Sequence, residues 1–375
     1  MTINNEHNKL NVPNLRFPEF QGEWAKCTLN EVCKFHNGRA YKQTELLAAG
    51  KYRVLRVGNF FTNDSWYYSN LELEDNKYAQ NGDLLYAWSA SFGPRFWREE
   101  KVIFHYHIWK IDSFKNVDKN FLYHFLDLDS AKIKNEVQGG TMVHITKGDM
   151  EKRTISYPSV PEQRNIARFL FLLDERIATQ NKIIEDLKKL KSAISKKLLC
   201  NDKWTTYKIQ DIAEIGRGRV ISSVEIDRQK HPLYPVYSSQ TSNDGIMGYL
   251  DNYMFDGEYI TWTTDGANAG TVFYRKGKFN CTNVCGTLKI LPKFDCYFVS
   301  LVLQQATQKY VSSNLANPKL MNNTMASIKI RMPNIETQKQ LSKVFKTLDS
   351  CLLVHQRICK MYLSEKQYLL RQMFI

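Results

Sequence analysis

The chain carries its own plan twice, and no other feature restricts its fold as much. Shifting the sequence by 180 residues lays Trp24, Leu29, Val32, Phe35, Gly38 and Arg39 on Trp204, Ile209, Ile212, Ile215, Gly218 and Arg219. Shifting it by 175 lays Pro158, Gln163, Ile166, Leu173, Asp174 and Ile177 on Pro333, Gln338, Leu341, Leu348, Asp349 and Leu352. Repeated sequence means repeated structure, so what one half builds the other builds again. Such a chain can present two similar sites in a fixed relation and bind an object that bears two separated marks.

Charge says what that object is. Fifty-two Lys and Arg against 38 Asp and Glu give +14 and a pI near 9.2, which points to a polyanion, nucleic acid before a membrane surface. With 375 residues, 43% apolar and 13% aromatic, the chain is folded rather than disordered and long enough for two or three domains. The polar first twenty residues do not read as a signal peptide, and no run approaches the roughly 18 apolar residues of a membrane span. A cytoplasmic location is therefore expected, with the eight cysteines as reduced thiols. They are scattered and form no Cys-x-x-Cys, so no metal is expected on the chain.

Each copy has two parts. The upstream parts are rich in aromatics, β-branched residues and Gly/Asn turns, with strands expected at 54–57, 83–88, 102–104, 259–262 and 270–274. One helix is expected near the end of each, around 118–136 and 295–311. The downstream parts keep a spacing of 3.5 residues, the period of a coiled-coil seam. It runs through Ile166, Leu170, Leu173, Ile177, Gln180, Ile184, Leu187, Lys191, Ile194 and Leu198. It returns through Leu341, Phe345, Leu348, Leu352, His355, Cys359, Tyr362, Lys366, Leu369 and Met373. Ser159 and Glu162 have the spacing of a capping box for the first helix, and Pro333-Asn334 can open the second. Helices of about 38 residues would each be roughly 57 Å long at 1.5 Å per residue. The polar seam slots match, Gln180 with His355 and Lys191 with Lys366. They either fix register or face water. The expected fold is α+β: two similar mixed α/β domains joined by a pair of long antiparallel coiled-coil helices, with pseudo-twofold symmetry. The expected boundaries are 1–23 for an N-terminal segment, 24–157 and 202–332 for the domains, and 158–201 and 333–375 for the helices.

Catalytic motifs are scarce. There is no phosphate loop, no Gly-x-Gly-x-x-Gly and no Asn-Pro-Pro-Tyr or Asp-Pro-Pro-Tyr methyltransferase clamp. Asp83 with Glu99 and Lys101 loosely fits a metal-dependent nuclease pattern, which keeps a stand-alone nuclease as one alternative. A DNA-binding regulator without enzyme partners is another. The broader signal is DNA reading, by Arg and Lys toward guanine edges or phosphates and by Asn, Gln, Ser and Thr toward adenine or phosphates. The first copy offers Arg39, Arg53, Arg56, Asn59, Trp88, Ser89, Ser91, Arg95, His105, Thr141 and Lys147. The second offers Arg217, Arg219, Ser239, Gln240, Thr263, Thr264, Asn268 and Lys319. Trp88-Ser89-Ala90-Ser91 and Trp262-Thr263-Thr264-Asp265 are expected as differing loops at matching places. Outside the seam, Phe169, Ile183 and Leu190 are candidate docking contacts for a partner.

A globular half, then a heptad helix opened by Pro-x-x-x-x-Gln (Pro158 to Gln163, Pro333 to Gln338), then both again, resembles the specificity subunit of Type I restriction–modification enzymes. The Leu15-Arg16-Phe17-Pro18-Glu19-Phe20 opening and the Ala87-Trp88-Ser89 segment are similar to sequences of that family. The resemblance implies a non-catalytic subunit with two target-recognition domains, each reading one half of an asymmetric bipartite site in double-stranded DNA. It implies docking to two methyltransferase subunits and two ATP-dependent restriction/translocase subunits. S-adenosylmethionine, ATP and Mg²⁺ would be bound by those partners. Read with the resemblance, the helix pair acts as a ruler that sets the two reading surfaces about 34 Å apart, one turn of the duplex.

Overall fold

The computed structural model describes residues 11–61, 63–89, 91–136, 144–199, 201–312 and 317–375. They divide into two compact units, Met1–Asn181 with Ile358–Ile375, and Lys182–Arg357.

In unit 1 the strands are β1 (Ala25–Thr28), β2 (Lys34–Asn37), β3 (Tyr52–Leu55), β4 (Tyr67–Ser69), β5 (Tyr78–Ala79), β6 (Leu84–Ser89), β7 (Ser91–Phe96), β8 (Val102–Phe104), β9 (Ile108–Asp112) and β10 (Thr154–Tyr157). The helices α1 (Leu29–Val32), α2 (Val57–Phe61), α3 (Lys119–Glu136) and α4 (Lys147–Lys152) lie between them. The strands form an antiparallel pair β1-β10, a four-stranded sheet β2-β9-β6-β7 and a second sheet β4-β3-β8-β5. Trp24, Phe35, Tyr86, Trp109 and Phe121 fill the main core. Burying an apolar side chain of Val-to-Phe size contributes about 1.5–3 kcal/mol.

A helix α5 (Val160–Leu198) of 39 residues follows. Unit 2 then repeats the plan with β11 (Thr205–Lys208), β12 (Ala213–Arg217), α6 (Ser223–Asp227), β13 (Tyr234–Tyr237), β14 (Ile246–Leu250), β15 (Glu258–Thr263), β16 (Val272–Lys276), β17 (Asn280–Cys281), β18 (Cys285–Ile290), α7 (Cys296–Ala306), α8 (Asn322–Ser327) and β19 (Lys329–Met332). Its sheets are β11-β19, β12-β18-β15-β16 and β14-β13-β17. In each unit two named strands pair in parallel at the same place, β3 with β8 and β13 with β17. The chain closes with α9 (Ile335–Met373), also 39 residues.

The seam period becomes burial. Every seam position of α9 from Leu341 to Met373 is buried or half-buried, and so is every position of α5 except Leu198. In unit 1 the two helices run antiparallel. Asp174 meets Lys366 at 2.7 Å, Arg176 donates to the Tyr362 hydroxyl and the Cys359 thiol donates to Asn181. In unit 2 Lys191 pairs with Asp349. These two ion pairs are copies of each other under the 175-residue shift, with the Lys of one repeat always meeting the Asp of the other. The polar Lys slots therefore act in register. Asp127 adds a second carboxylate 3.3 Å from Lys366. Burial alone pulls the Lys366 ammonium down, but the two carboxylates outweigh it and hold its pKa above the ordinary value.

The helix openings explain the Pro-x-x-x-x-Gln motif. Gln163 is fully buried; its Oε1 accepts from Asp118 N at 2.6 Å, and its Nε2 donates to the carbonyls of Pro158 (2.8 Å) and Asn116 (2.9 Å). Gln338 does the same with Asp295 N (3.0 Å) and Pro333 O (2.8 Å). Each Gln thus ties the first turn of its long helix to the start of the domain helix before it. Asp118 and Asp295 in turn accept from Phe121 N and Phe298 N. Asn334 accepts from Thr337 N and opens α9. Glu162 has a different task from the expected capping box. Both its oxygens are held by Arg16, at 2.7 and 2.8 Å, which straps the N-terminal segment onto α5.

Candidate nucleic-acid interface

In each unit the turn between the parallel-paired strand and the next strand of the four-stranded sheet sits in a frame of backbone hydrogen bonds. In unit 1 Gly38 N donates to Ile108 O (3.1 Å), Arg39 N to Phe104 O (3.0 Å), His105 N to Leu55 O (2.9 Å), Ile108 N to His105 O (2.9 Å) and Trp88 N to His107 O (3.1 Å). In unit 2 Gly218 N donates to Cys285 O (3.2 Å), Arg219 N to Cys281 O (3.2 Å), Thr282 N to Tyr237 O (2.9 Å), Cys285 N to Thr282 O (3.0 Å) and Thr264 N to Val284 O (2.9 Å). The five bonds match one for one. The turn they hold is His105-Tyr106-His107 in one unit and Thr282-Asn283-Val284 in the other.

The Gly-Arg dipeptide that carries the repeat is part of this frame. A Cβ on Gly38 would stand 2.3 Å from His105 O, and one on Gly218 2.1 Å from Cys281 O, so only glycine fits. Arg39 forks onto Glu45 (3.0 and 2.7 Å), and Arg219 forks onto Glu225. Both glutamates stand six residues on, so the duplication extends to an ion pair that closes each loop. Each arginine is therefore paired with a glutamate of its own loop, while its side chain keeps partial exposure. The forked hydrogen bonds hold both guanidinium pKa values above the usual range.

Several other candidates have partners within the fold. Asn59 donates to Asn63 O and Ser65 O and brackets its own turn. Ser89 and Thr263 end strands β6 and β15 rather than lying in loops, Thr264 follows directly, and all three are buried. Gln240 donates to Ile246 O, and Ser239 is half-buried. Arg53 pairs with Glu99 at 2.9 Å and covers the Trp66 ring. Arg95 lies over Phe61, Lys147 reaches Glu151 at 3.4 Å and Lys319 reaches Asp265 at 3.7 Å. Arg95, Arg217 and Asn268 are exposed. Thr141 lies outside the described residues, and so does the Ser91 side chain.

The tryptophan correspondence also changes. In the sheet register Tyr86 faces Trp109 and Trp262 faces Gly286, so Tyr86, not Trp88, holds the place of Trp262. A Cβ on Gly286 would come within 2.2 Å of the Trp262 ring, which fills the space left by the missing side chain and is fully buried. In unit 1 Trp109 occupies that space. Tyr86 and Trp88 both stack on it, with centroids at 5.9 and 5.6 Å. Trp88 is thereby pushed outward, where its Nε1 donates to Tyr106 O at 2.8 Å.

Aromatic and imidazole rings crowd the unit 1 turn. Tyr106 stands 4.5 Å from His105 and 3.9 Å from His107, ring centroid to centroid. Burial, with His107 and Arg56 nearby, pushes His105 down to about 4, so its ring is neutral at pH 7. Arg56 itself lies over the Tyr67 ring. Tyr106 is 39% exposed, and Asn283 at the same point of unit 2 is exposed. Neither was visible as a candidate in the sequence. The signal was the Gly-Arg repeat, whose frame encloses both.

The nuclease alternative fails on geometry. Asp83 pairs with Lys110 at 2.8 Å, Glu99 with Arg53, and Lys101 lies over the Tyr78 ring at 4.0 Å. Among the described residues no three His, Cys, Asp or Glu side chains gather as metal ligands. No helix among them is long and apolar enough to cross a membrane.

Two copies of one frame with unlike turns define a two-site recognition protein. The family described as Type I restriction modification DNA specificity domain matches residues 21–189 and again 201–360. The chain belongs to this family and is a DNA-sequence specificity subunit of the Type I restriction–modification class. A Mycoplasma pneumoniae protein named as a type I specificity subunit is 38% identical over 198 residues, 52% of this chain and 82% of that one. The Type I restriction enzyme MpnII specificity subunit of the same organism is 43% identical over 145 residues, 38% of this chain and 43% of that one. The S subunit of a Type I system from M. genitalium shares the fold, with a TM-score of 0.70 at 18% identity over 97% of this chain and 99% of that one. Family membership displaces both alternatives, nuclease and lone regulator, and makes the chain a non-catalytic member of a larger complex.

Proposed function

We propose that each unit reads one half of an asymmetric two-part site in double-stranded DNA, through recognition parts at 24–157 and 202–332. The observation that carries this reading is the matched frame holding unlike turns: equal scaffolds bind alike, and different side chains at one point read different bases. Partner subunits supply the chemistry. Two methyltransferase subunits would bring S-adenosylmethionine, and two restriction/translocase subunits would bring ATP and Mg²⁺. Leu190, 47% exposed on α5, and half-buried Ile183 are the proposed docking contacts. Phe169 is the weaker candidate, because its ring packs edge-on against Phe17 at 6.1 Å.

Mapping modified bases in cells with the methyltransferase partner, with and without this chain, tests the reading. The expected result is a two-part motif modified only when the chain is present. Identical modification in both cells would overturn it.

A further inference from the structure

We infer that Asn283 and Tyr106, the central residues of the two framed turns, are specificity-determining contacts, each for the half-site of its own unit. The inference rests on the reading proposed above and names the residues that carry it.

The argument is one of placement. In each unit the turn is fixed by five backbone hydrogen bonds, so its central residue is presented without freedom to collapse. The flanking residues turn inward: Thr282 is 5% exposed, Val284 half-buried, and His105 and His107 half-buried. Only the middle residue stands out, and it does so in both units. The neighbouring polar side chains that could compete, Ser89, Thr263 and Thr264, are buried. Duplicated scaffolds that differ at one presented point have the form of a reader whose specificity lies at that point.

The chemistry of the two residues then separates the half-sites. An asparagine amide can donate from Nδ2 to N7 and accept at Oδ1 from the N6 amino group as a pair at one base only, adenine, whose major-groove edge offers one acceptor beside one donor. Asn283 is assigned to an adenine. The backbone carbonyl of Tyr106 accepts from the Trp88 indole, and its ring lies tilted against two imidazoles. An apolar ring in the groove meets the thymine methyl. Tyr106 is assigned to a thymine.

The test uses the full chain with its methyltransferase partner and a randomised duplex library, the bound fraction being sequenced. Wild type should select a two-part motif. Asn283→Asp keeps the shape and removes the amide donor; it should lower the preference for adenine at one position of one half-site by about tenfold or more. Tyr106→Ala should relax one position of the other half-site. In each variant the untouched half-site reports that the chain is folded. Unchanged motifs in both variants overturn the inference while leaving the proposed function standing. Loss of both half-sites in either variant also overturns it, because each residue is assigned to one half-site alone. A wild type that selects no two-part motif overturns the proposed function and the inference with it.

Discussion

The two recognition units share a backbone and differ in what they do with a tryptophan. In unit 2 Trp262 is swallowed by the space over Gly286 and donates to Leu320 O at 2.9 Å, so the sheet end is closed and the turn beside it carries a small polar side chain. In unit 1 Trp109 fills that space, and an aromatic series from Tyr86 through Trp109 to Trp88 runs out to Tyr106. One cross-strand exchange, glycine for tryptophan, decides whether the next aromatic is core or surface. Duplication has thus kept the hydrogen-bonded frame and let the packing behind it vary. That is how one fold can present two different readers.

The sharpest way to break this comparison is to break the frame. Gly38→Val and Gly218→Val each drive a side chain into a backbone carbonyl that cannot move without releasing the turn. Each should destabilise its unit by about 3 kcal/mol, the upper end of overpacking costs, and abolish selection of one half-site only. Thermal melting and library selection on the same samples check this. Equal melting temperatures for variant and wild type would show that the frame is not the rigid element described here.

Next in size is the helix lock. Gln163→Ala orphans the Asp118 amide and two carbonyls at a fully buried position, and should cost about 1–3 kcal/mol in chemical denaturation. Gln338→Ala removes two bonds rather than three and should cost less. A reversed order would mean that the two locks are not equivalent.

This lock also shows what the sequence could and could not reveal. Pro158 to Gln163 and Pro333 to Gln338 were legible as a repeat because the same chemistry is needed twice at fixed spacing. The seam was legible because a helix converts period into burial. The turns were not. Apart from the Gly-Arg repeat, their frame is made of backbone bonds that leave no residue signature, and the units differ in loop length, so one constant shift does not align them. The register error between Trp88 and Trp262 has the same origin: the deciding residues, Trp109 and Gly286, lie on a different strand. Arg39 and Arg219 were legible as repeated residues, and the same 180-residue shift lays Glu45 on Glu225, but only the fold shows that each glutamate turns back onto its arginine.

A pH titration separates the units by their histidines. His105 is pushed down to about 4 by burial and by His107 and Arg56, and His124 to about 3 by burial and by Lys366. A folded pKa below the unfolded value near 6.5 means that the unfolded chain binds more protons between the two. The stability that depends on these neutral rings is complete above pH 6.5 and is lost as pH falls toward 4. Unit 1 should therefore open first on acidification, seen as earlier amide exchange in its strands than in those of unit 2. His105→Gln should weaken that dependence and leave the part due to His124. Equal acid sensitivity of both units would remove the histidines as its cause.

The smallest effect is expected at the arginines that first drew attention. Arg39→Ala and Arg219→Ala each release a glutamate that is partly in solvent, and exposed ion pairs contribute little to stability. The melting temperature should fall slightly, and more for Arg39, whose pair with Glu45 is the better covered of the two. If these arginines only brace the loop, Glu45→Gln and Glu225→Gln should weaken DNA selection in the same sense as the arginine variants, because either change opens the same fork. If instead an arginine reads a guanine, its loss should weaken binding while freeing it from its glutamate should not. The comparison of the Arg39→Ala and Glu45→Gln motifs decides which, and the frame described here requires them to agree.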